Sequence, residues 1–403
     1  MRIAHLSDVH LGYRAYSKVN AHGQNQREAD VMHAFRDALK KALKREPDVV
    51  LITGDLFHTV RPSNTSLLNA YQTLKQFQER RRGAPLIIIA GNHETPRSAE
   101  SMCILVLFSH LPGVQVVHRD IEVVPLSALG VSATCIPSRG VTEIERRILE
   151  PDPHARVNLL LLHGILEGVA QFTIQNPIAR SAIVKEAWDY IALGDHHLYA
   201  QVAPNAYYAG ATEFTSNNIW EEAGKPKGFI LYDTETRHAE FVAGRTRNVL
   251  DLVPIDAREL TQAEINEAIA ERAQSIALDG SIVRQRIYNI LPEQRSGIDG
   301  ALIRELRAQA LHYHLDMRLP RAWNASSVVA AESSEEADTR LTLADEWRLF
   351  AQEYPLPAEI ERPIFVEHGA RLLRDISEEE AGIATPVANI SPQEVKADFL
   401  RRS

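Results

Sequence analysis

Five apolar runs in this chain end in the same way, and that shared ending constrains the fold more than any other feature. "RIAHLSDVH" closes on Asp8 and His10, "VVLITGD" on Asp55, "LIIIAGNHE" on Asn92 and His93, "NLLLLH" on His163, and "YIALGDHH" on Asp195, His196 and His197. Short runs this rich in Val, Ile and Leu read as buried strands. In α/β sheets the carboxyl ends of strands border the ligand crevice, so polar side chains far apart in sequence can converge there.

Between the first three runs lie amphipathic stretches near Arg27–Arg45 and Asn64–Arg82, the pattern of strands joined by crossover helices. Later runs ("VQVVH", "IEVVP", "VSATCI", "AYYAG", "GFILYD", "AEFVA") are often joined by links too short for a helix. Residues 1–247 are therefore expected to form an α/β domain, a two-sheet β-sandwich flanked by helices, with some strands antiparallel. From Val249 the rhythm changes to a strand "VLDLVPID", a helix over Thr261–Ala277, a strand "SIVRQRIYNI", a helix over Ile298–His312 and a strand "LDMRLPR". That predicts a small α/β domain over residues 248–322.

"NASSVVAAESSEEADT" has no apolar periodicity, so residues 323–340 read as a flexible linker. Residues 341–403 read as a helical tail. Leu341, Leu343, Trp347, Phe350, Leu372 and Leu373 give it more apolar surface than two short helices can bury alone, which predicts docking on a partner. No internal repeat is present.

Charge does not exclude a nucleic-acid partner. The formal net charge of −9 is carried almost wholly by residues 331–403, where 16 Asp and Glu accompany 8 Lys and Arg. The nearly neutral body can still present a local basic surface. No run approaches the length of a membrane span, and the N-terminus enters a strand pattern with no leader, so a cytoplasmic protein away from the membrane is expected. Cys103 and Cys135, the two cysteines, sit among apolar neighbours and read as buried reduced thiols.

Converging Asp, Asn and His without thiolates suits manganese, iron or zinc, with more imidazole than a dedicated magnesium or calcium cage would use. The strings Asp-x-His, Gly-Asp, Gly-Asn-His-Glu, a lone strand-end His, and a last Gly-x-x-His, in that order, resemble the calcineurin-like metallophosphoesterases. The fuller strings "SDVHLGY", "TGDLFHTVRPSN" and "AGNHETP" look like the DNA double-strand-break nucleases of the SbcD and Mre type. The resemblance runs from Met1 to about Arg245.

It implies two Mn2+ ions, with Mg2+, Fe2+ or Zn2+ as alternatives. One ion would be held by Asp8, His10 and His197 and the other by Asn92 and His163, with Asp55 as the bridge. His93 matches the residue that protonates the leaving group, and His58 a phosphate-proximal histidine. The family usually reads Gly-His-x-His where this chain has Gly194-Asp195-His196-His197, so Asp195 is expected as the remaining ligand of the second ion, with His196 pointing away; the alternatives are that His196 takes that place or that the second site is weak. Lys225 and Lys227 are candidate phosphate contacts; the remaining histidines, His5 among them, match no motif and read as structural or surface residues.

The function implied is a DNA exo- and endonuclease acting at DNA ends, a homodimer beside a coiled-coil SMC-like ATPase of the SbcC type. A phosphatase or cyclic-nucleotide phosphodiesterase with the same site, and a catalytically weak DNA- or partner-binding scaffold, are the alternatives.

Overall fold

The apolar runs become strands buried on both faces, and the helices that cover them begin where the sequence supplies a cap. In the computed structural model, which describes residues 1–96, 98, 101–169, 177–320, 347–348, 351 and 362–380, strands β1 (Arg2–Leu6), β2 (Val49–Thr53), β3 (Leu86–Ile89) and β4 (Val114–Val117) lie parallel. Helix α1 (Gln26–Leu43) joins β1 to β2, and α2 (Asn64–Arg80) joins β2 to β3. The Asn25 side chain accepts from the N–H groups of Arg27 and Glu28, and that of Ser63 from Ser66, satisfying donors the first turn leaves free. Val31, Phe35 and Leu39 of α1 and Leu74 and Phe77 of α2 pack on the outer face of this sheet.

The second sheet holds β5 (Glu122–Leu126), β6 (Val131–Ile136), β7 (Val157–His163), β8 (Tyr190–Gly194), β9 (Ala200–Ala203) and β10 (Ala206–Tyr208), with β10 lying between β8 and β9. Its inner strands are parallel and its edge strands β5 and β9 antiparallel. Single turns α3 (Arg180–Ile183) and α4 (Ile219–Glu222) lie in the loops before β8 and after β10. The chain then returns to the first sheet, where β11 (Gly228–Asp233) pairs antiparallel with β1 and carries β12 (His238–Ala243) outside it. Ile3, Leu51 and Ile87 meet Ala133, Leu161 and Ala192 between the sheets, so the sandwich predicted from sequence is the fold.

A polar bridge crosses that apolar layer. The buried His5 on β1 places Nδ1 2.9 Å from Tyr190 Oη in the second sheet and Nε2 2.9 Å from Thr53 Oγ1 in its own.

The small domain differs from its sequence reading in two places. "VLDLVPID" forms two short strands, β13 (Val249–Asp251) and β14 (Ile255–Asp256), both parallel to the same edge of β15 (Ile282–Tyr288). Asp251 pairs with Arg284 and Ile255 with Ile287, so this edge carries one residue more than its partner across the gap. Pro254, with no N–H to give a ladder, sits in the break. Helix α5 (Gln262–Gln274) opens on a capping box between Thr261 and Glu264, followed by α6 (Pro292–Ser296) and α7 (Gly300–Gln309). The helix predicted to reach His312 stops at Gln309, because β16 (His312–Met317) begins there and pairs with the free edge of β15.

This domain is tied to the sandwich. Lys18 Nζ donates to Ala308 O at 2.6 Å and to Ala310 O, Tyr16 stacks on His312 at 4.0 Å between centroids, and Arg247 Nη1 donates to Gly280 O at 3.2 Å.

Met1–Ala325 forms one compact unit and Ser326–Ser403 a second. In the second, Trp347 Nε1 donates to Val366 O at 2.9 Å and its ring lies 5.2 Å from Phe365 on helix α8 (Arg362–Glu380), where Ile364 and Leu372 are exposed. The predicted linker and Leu341, Leu343 and Phe350 lie outside the described residues. Cys103 and Cys135 are buried free thiols, as expected.

Candidate metal centre

Where each buried strand ends the chain must turn within a residue or two, and four of the candidate residues do so in the left-handed region. Asp8, His10, Asp55 and Asp195 have φ of 49°, 56°, 50° and 85°. Non-glycine residues seldom enter that region, and such strain gathers at functional sites. Hydrogen bonds between the turns hold it: the N–H groups of Asp8, His10 and Leu11 donate to the carbonyls of Gly54, Asp55 and Leu56 at 3.2, 2.8 and 2.8 Å, and His58 N–H donates to Leu11 O at 3.0 Å.

Two glycines let the turns approach. A Cβ on Gly91 would stand 2.0 Å from Asp55 Oδ1, and one on Gly54, whose φ is +90°, 2.0 Å from His163 Nδ1.

The candidate residues meet in one crevice at the carboxyl ends of β1, β2, β3, β7 and β8. Nε2 of His10 lies 3.1 Å from Nε2 of His197 and 3.6 Å from Asp55 Oδ2, and Asp8 joins this group. Nε2 of His163 lies 3.1 Å from Asn92 Oδ1, 3.6 Å from Asp55 Oδ1 and 3.6 Å from Asp195 Oδ1. Asp55 thus stands between two clusters, and Asp195 faces the second of them. His163 donates through Nδ1 to Thr53 O at 2.7 Å, which leaves Nε2 as the nitrogen turned to the crevice. His93 likewise donates through Nδ1 to His58 O at 2.7 Å, with Nε2 4.0 Å from Asp55 Oδ2. His58 Nδ1 lies 3.3 Å from His10 Nδ1.

His10, His58, His93, Asp195 and His197 line a cleft of about 760 Å³. His196, expected to point away, lines the cleft as well, its ring edge-on to Tyr208 at 5.4 Å.

Crowding and burial perturb the buried acids and imidazoles of the crevice. Burial pushes the Asp8 carboxyl up to about 7, with His163 opposing and Asp55 and Asp195 adding to the rise; burial also raises Asp195. Burial pushes His10 down to about 3 and His197 well below its ordinary value, leaving both rings neutral near neutral pH. For Asp55 burial works upward, but His163, His10 and His93 together hold it below the usual carboxylate range; for His163 burial works downward and is outweighed by Asp55, Asp195 and Asp8.

Several carboxylates and two neutral imidazoles aimed at one another are mutually unfavourable without a cation and complementary with one. The donor set, oxygen and nitrogen without sulfur, fits divalent ions of the manganese-to-zinc range. Three groups here, Asp8–His10–His197, Asp8–Asp55–His163 and His10–His58–His93, have ligand atoms all within 4.8 Å of one another.

Two residues differ from or escape the sequence reading. Lys227 is buried with Nζ 2.7 Å from Glu222 Oε2 and donating to His197 O at 2.6 Å, so it is no surface phosphate contact; Lys225 is exposed at the cleft. Glu94, inside the Gly-Asn-His-Glu string, is fully buried and accepts from Leu56 N–H at 2.9 Å beneath Asp55, a role its position in the string did not reveal.

The family profile described as calcineurin-like phosphoesterase matches residues 1–225. The chain is 28% identical over 284 residues to a protein named DNA double-strand break repair protein Mre11 from Methanocaldococcus jannaschii, covering 66% of this chain and 70% of that one. It is 29% identical over 323 residues to the protein of that name from Sulfurisphaera tokodaii, covering 76% and 77%. To the Methanopyrus kandleri protein it is 27% identical over 262 residues, covering 58% and 54%.

Proposed function

The chain belongs to the calcineurin-like phosphoesterases, and from that membership we propose that it is a manganese-dependent DNA nuclease cutting phosphodiester bonds at DNA ends, by exo- and endonucleolytic action. It works in the cytoplasm as a homodimer beside a coiled-coil SMC-like ATPase of the SbcC type. The observation that carries the reading is the convergence of Asp8, His10, Asp55, Asn92, His163, Asp195 and His197 from five strand ends around one carboxylate, Asp55. The names of the relatives, all DNA double-strand break repair proteins, support DNA as the substrate. Among the described residues no helix is long and apolar enough to cross a membrane.

Asp8, His10 and His197 would hold one divalent ion and Asn92, His163 and Asp195 the other, with Asp55 shared. Two ions so held would supply charge to neutralise a phosphodiester, a lowered pKa for an attacking water and a counter-charge for the departing oxygen. Asp195 adds a formal charge where the family has an imidazole, which favours harder ions such as Mn2+ over softer ones. His93 is aimed into the cleft through Nε2, because His58 O engages its other nitrogen, and it protonates the leaving alkoxide. His58 and Lys225 flank the cleft where phosphates would lie.

The test is incubation of the purified chain with Mn2+ and end-labelled duplex, hairpin and single-stranded DNA, beside an aryl phosphate monoester. Manganese-dependent cleavage of DNA is expected, falling about a thousandfold or more in Asp55→Ala with the circular dichroism spectrum unchanged. Hydrolysis of the monoester alone, or full DNA cleavage by the variant, contradicts the reading.

A further inference from the structure

The short turn α4 faces two ways. On one side Trp220 stacks with His314 of β16 at 6.2 Å between centroids, and the Arg284 guanidinium lies 5.0 Å over its ring. Ile219 beside it is buried with Phe214, Val249, Ile282 and Leu311. The turn is therefore anchored on the small domain.

On the other side Glu222, itself buried, points Oε1 at His197 Nδ1, 3.6 Å away, and Oε2 at Lys227 Nζ, 2.7 Å away. Lys227 has no exposed side-chain surface, sits 5.1 Å over the Phe214 ring and donates to the His197 carbonyl at 2.6 Å. A buried carboxylate and a buried ammonium thus address the same histidine, one at its ring and the other at its main chain.

His197 Nδ1 is buried without a hydrogen-bond partner, while Nε2 faces His10 within the Asp8 group. A neutral imidazole that offers Nε2 to a cation carries its proton on Nδ1, and a buried N–H requires an acceptor. Glu222 is the acidic group placed to accept it, once a small rotation closes the 3.6 Å gap.

We propose that Glu222 is a positioning residue for His197. It selects the Nδ1–H tautomer so that Nε2 is free for the divalent ion, and Lys227, 2.7 Å from Oε2, holds the carboxylate aimed. This rests on the reading of Asp8, His10 and His197 as ligands of one ion.

Glutamine at this position has the same shape but one acceptor oxygen and one amide donor, so it can serve Lys227 or accept from His197, not both. Manganese binding to the full chain, followed by titration calorimetry, is expected to give two ions in the wild type. In Glu222→Gln one of them should bind about 10- to 100-fold more weakly and the other unchanged, with the 15N signals of His197 in the metal-free chain moving toward the Nε2–H tautomer. Should the lone buried ammonium unfold that variant, Glu222→Gln with Lys227→Met removes the charge with its partner and should show the same weakening.

Unchanged affinity for both ions in either folded variant, or unfolding of both, overturns the proposal. Fewer than two ions in the wild type would instead overturn the dinuclear reading on which it rests.

Discussion

His5 shows what a single side chain contributes between the sheets and why it could not be assigned beforehand. Burial pushes its ring down to about 3 from an ordinary 6.5, with the Leu193 backbone opposing, so it is neutral in the folded chain. A histidine whose folded value is depressed takes its proton first in the unfolded chain. Its share of stability is complete above about pH 6.5 and is lost as pH falls from there toward 3. Urea unfolding of the wild type and of His5→Gln should therefore diverge between about pH 6 and pH 4, the wild type losing about 2 kcal/mol more. Parallel curves would mean that the bridge does not titrate as described. In the sequence His5 is one polar letter in an apolar run, and its partners Tyr190 and Thr53 are 185 and 48 residues away. Glu222 and Lys227 were hidden for the same reason: their partner is a histidine 25 and 30 residues back, reached only because α4 and β11 fold against the end of β8. The strand-end residues were legible because each carries its own local sign, an apolar run that stops on an acid, an amide or an imidazole.

Among the elements, the strands were read more accurately than their ends. α1 and α2 start within a residue of the starts of the amphipathic stretches, where the structure places Asn25 and Ser63 as caps, and both finish two residues early. β16 was read as starting three residues late, at Leu315, because His312 and His314 alternate with Tyr313 in a half-exposed pattern that a helix reading also accommodates. The tight turn after β3 was visible as Gly91-Asn92, but the reason for the glycine was not: Asp55 Oδ1 occupies the space a Cβ would need. Gly91→Ala must push Asp55 or the β3 turn aside. Manganese affinity at both sites should fall by about two orders of magnitude while the far-ultraviolet spectrum stays that of the wild type. Tight binding of two ions by this variant would show that the turn yields without disturbing Asp55.

On the scale of the molecule, the body and the tail should separate. Met1–Ala325 is compact without Ser326–Ser403, and α8 leaves Ile364 and Leu372 exposed, which suits a segment that binds a partner. Deleting residues 326–403 should preserve thermal stability and the proposed manganese-dependent cleavage of simple DNA ends while abolishing co-purification with the proposed ATPase partner; retained partner binding would move that contact into the body. The order of the first sheet has a consequence for how the chain is made. β1 lies between β2 and β11, and β11 is synthesised more than two hundred residues later. Until Gly228–Asp233 has left the ribosome, one edge of β1 stays open, and Lys227 is not yet behind His197. The stretch matched by the family profile stops at residue 225, just short of both. A chain of that length holds every strand-end ligand but leaves the β1 edge unpaired, the kind of open edge on which another strand can add.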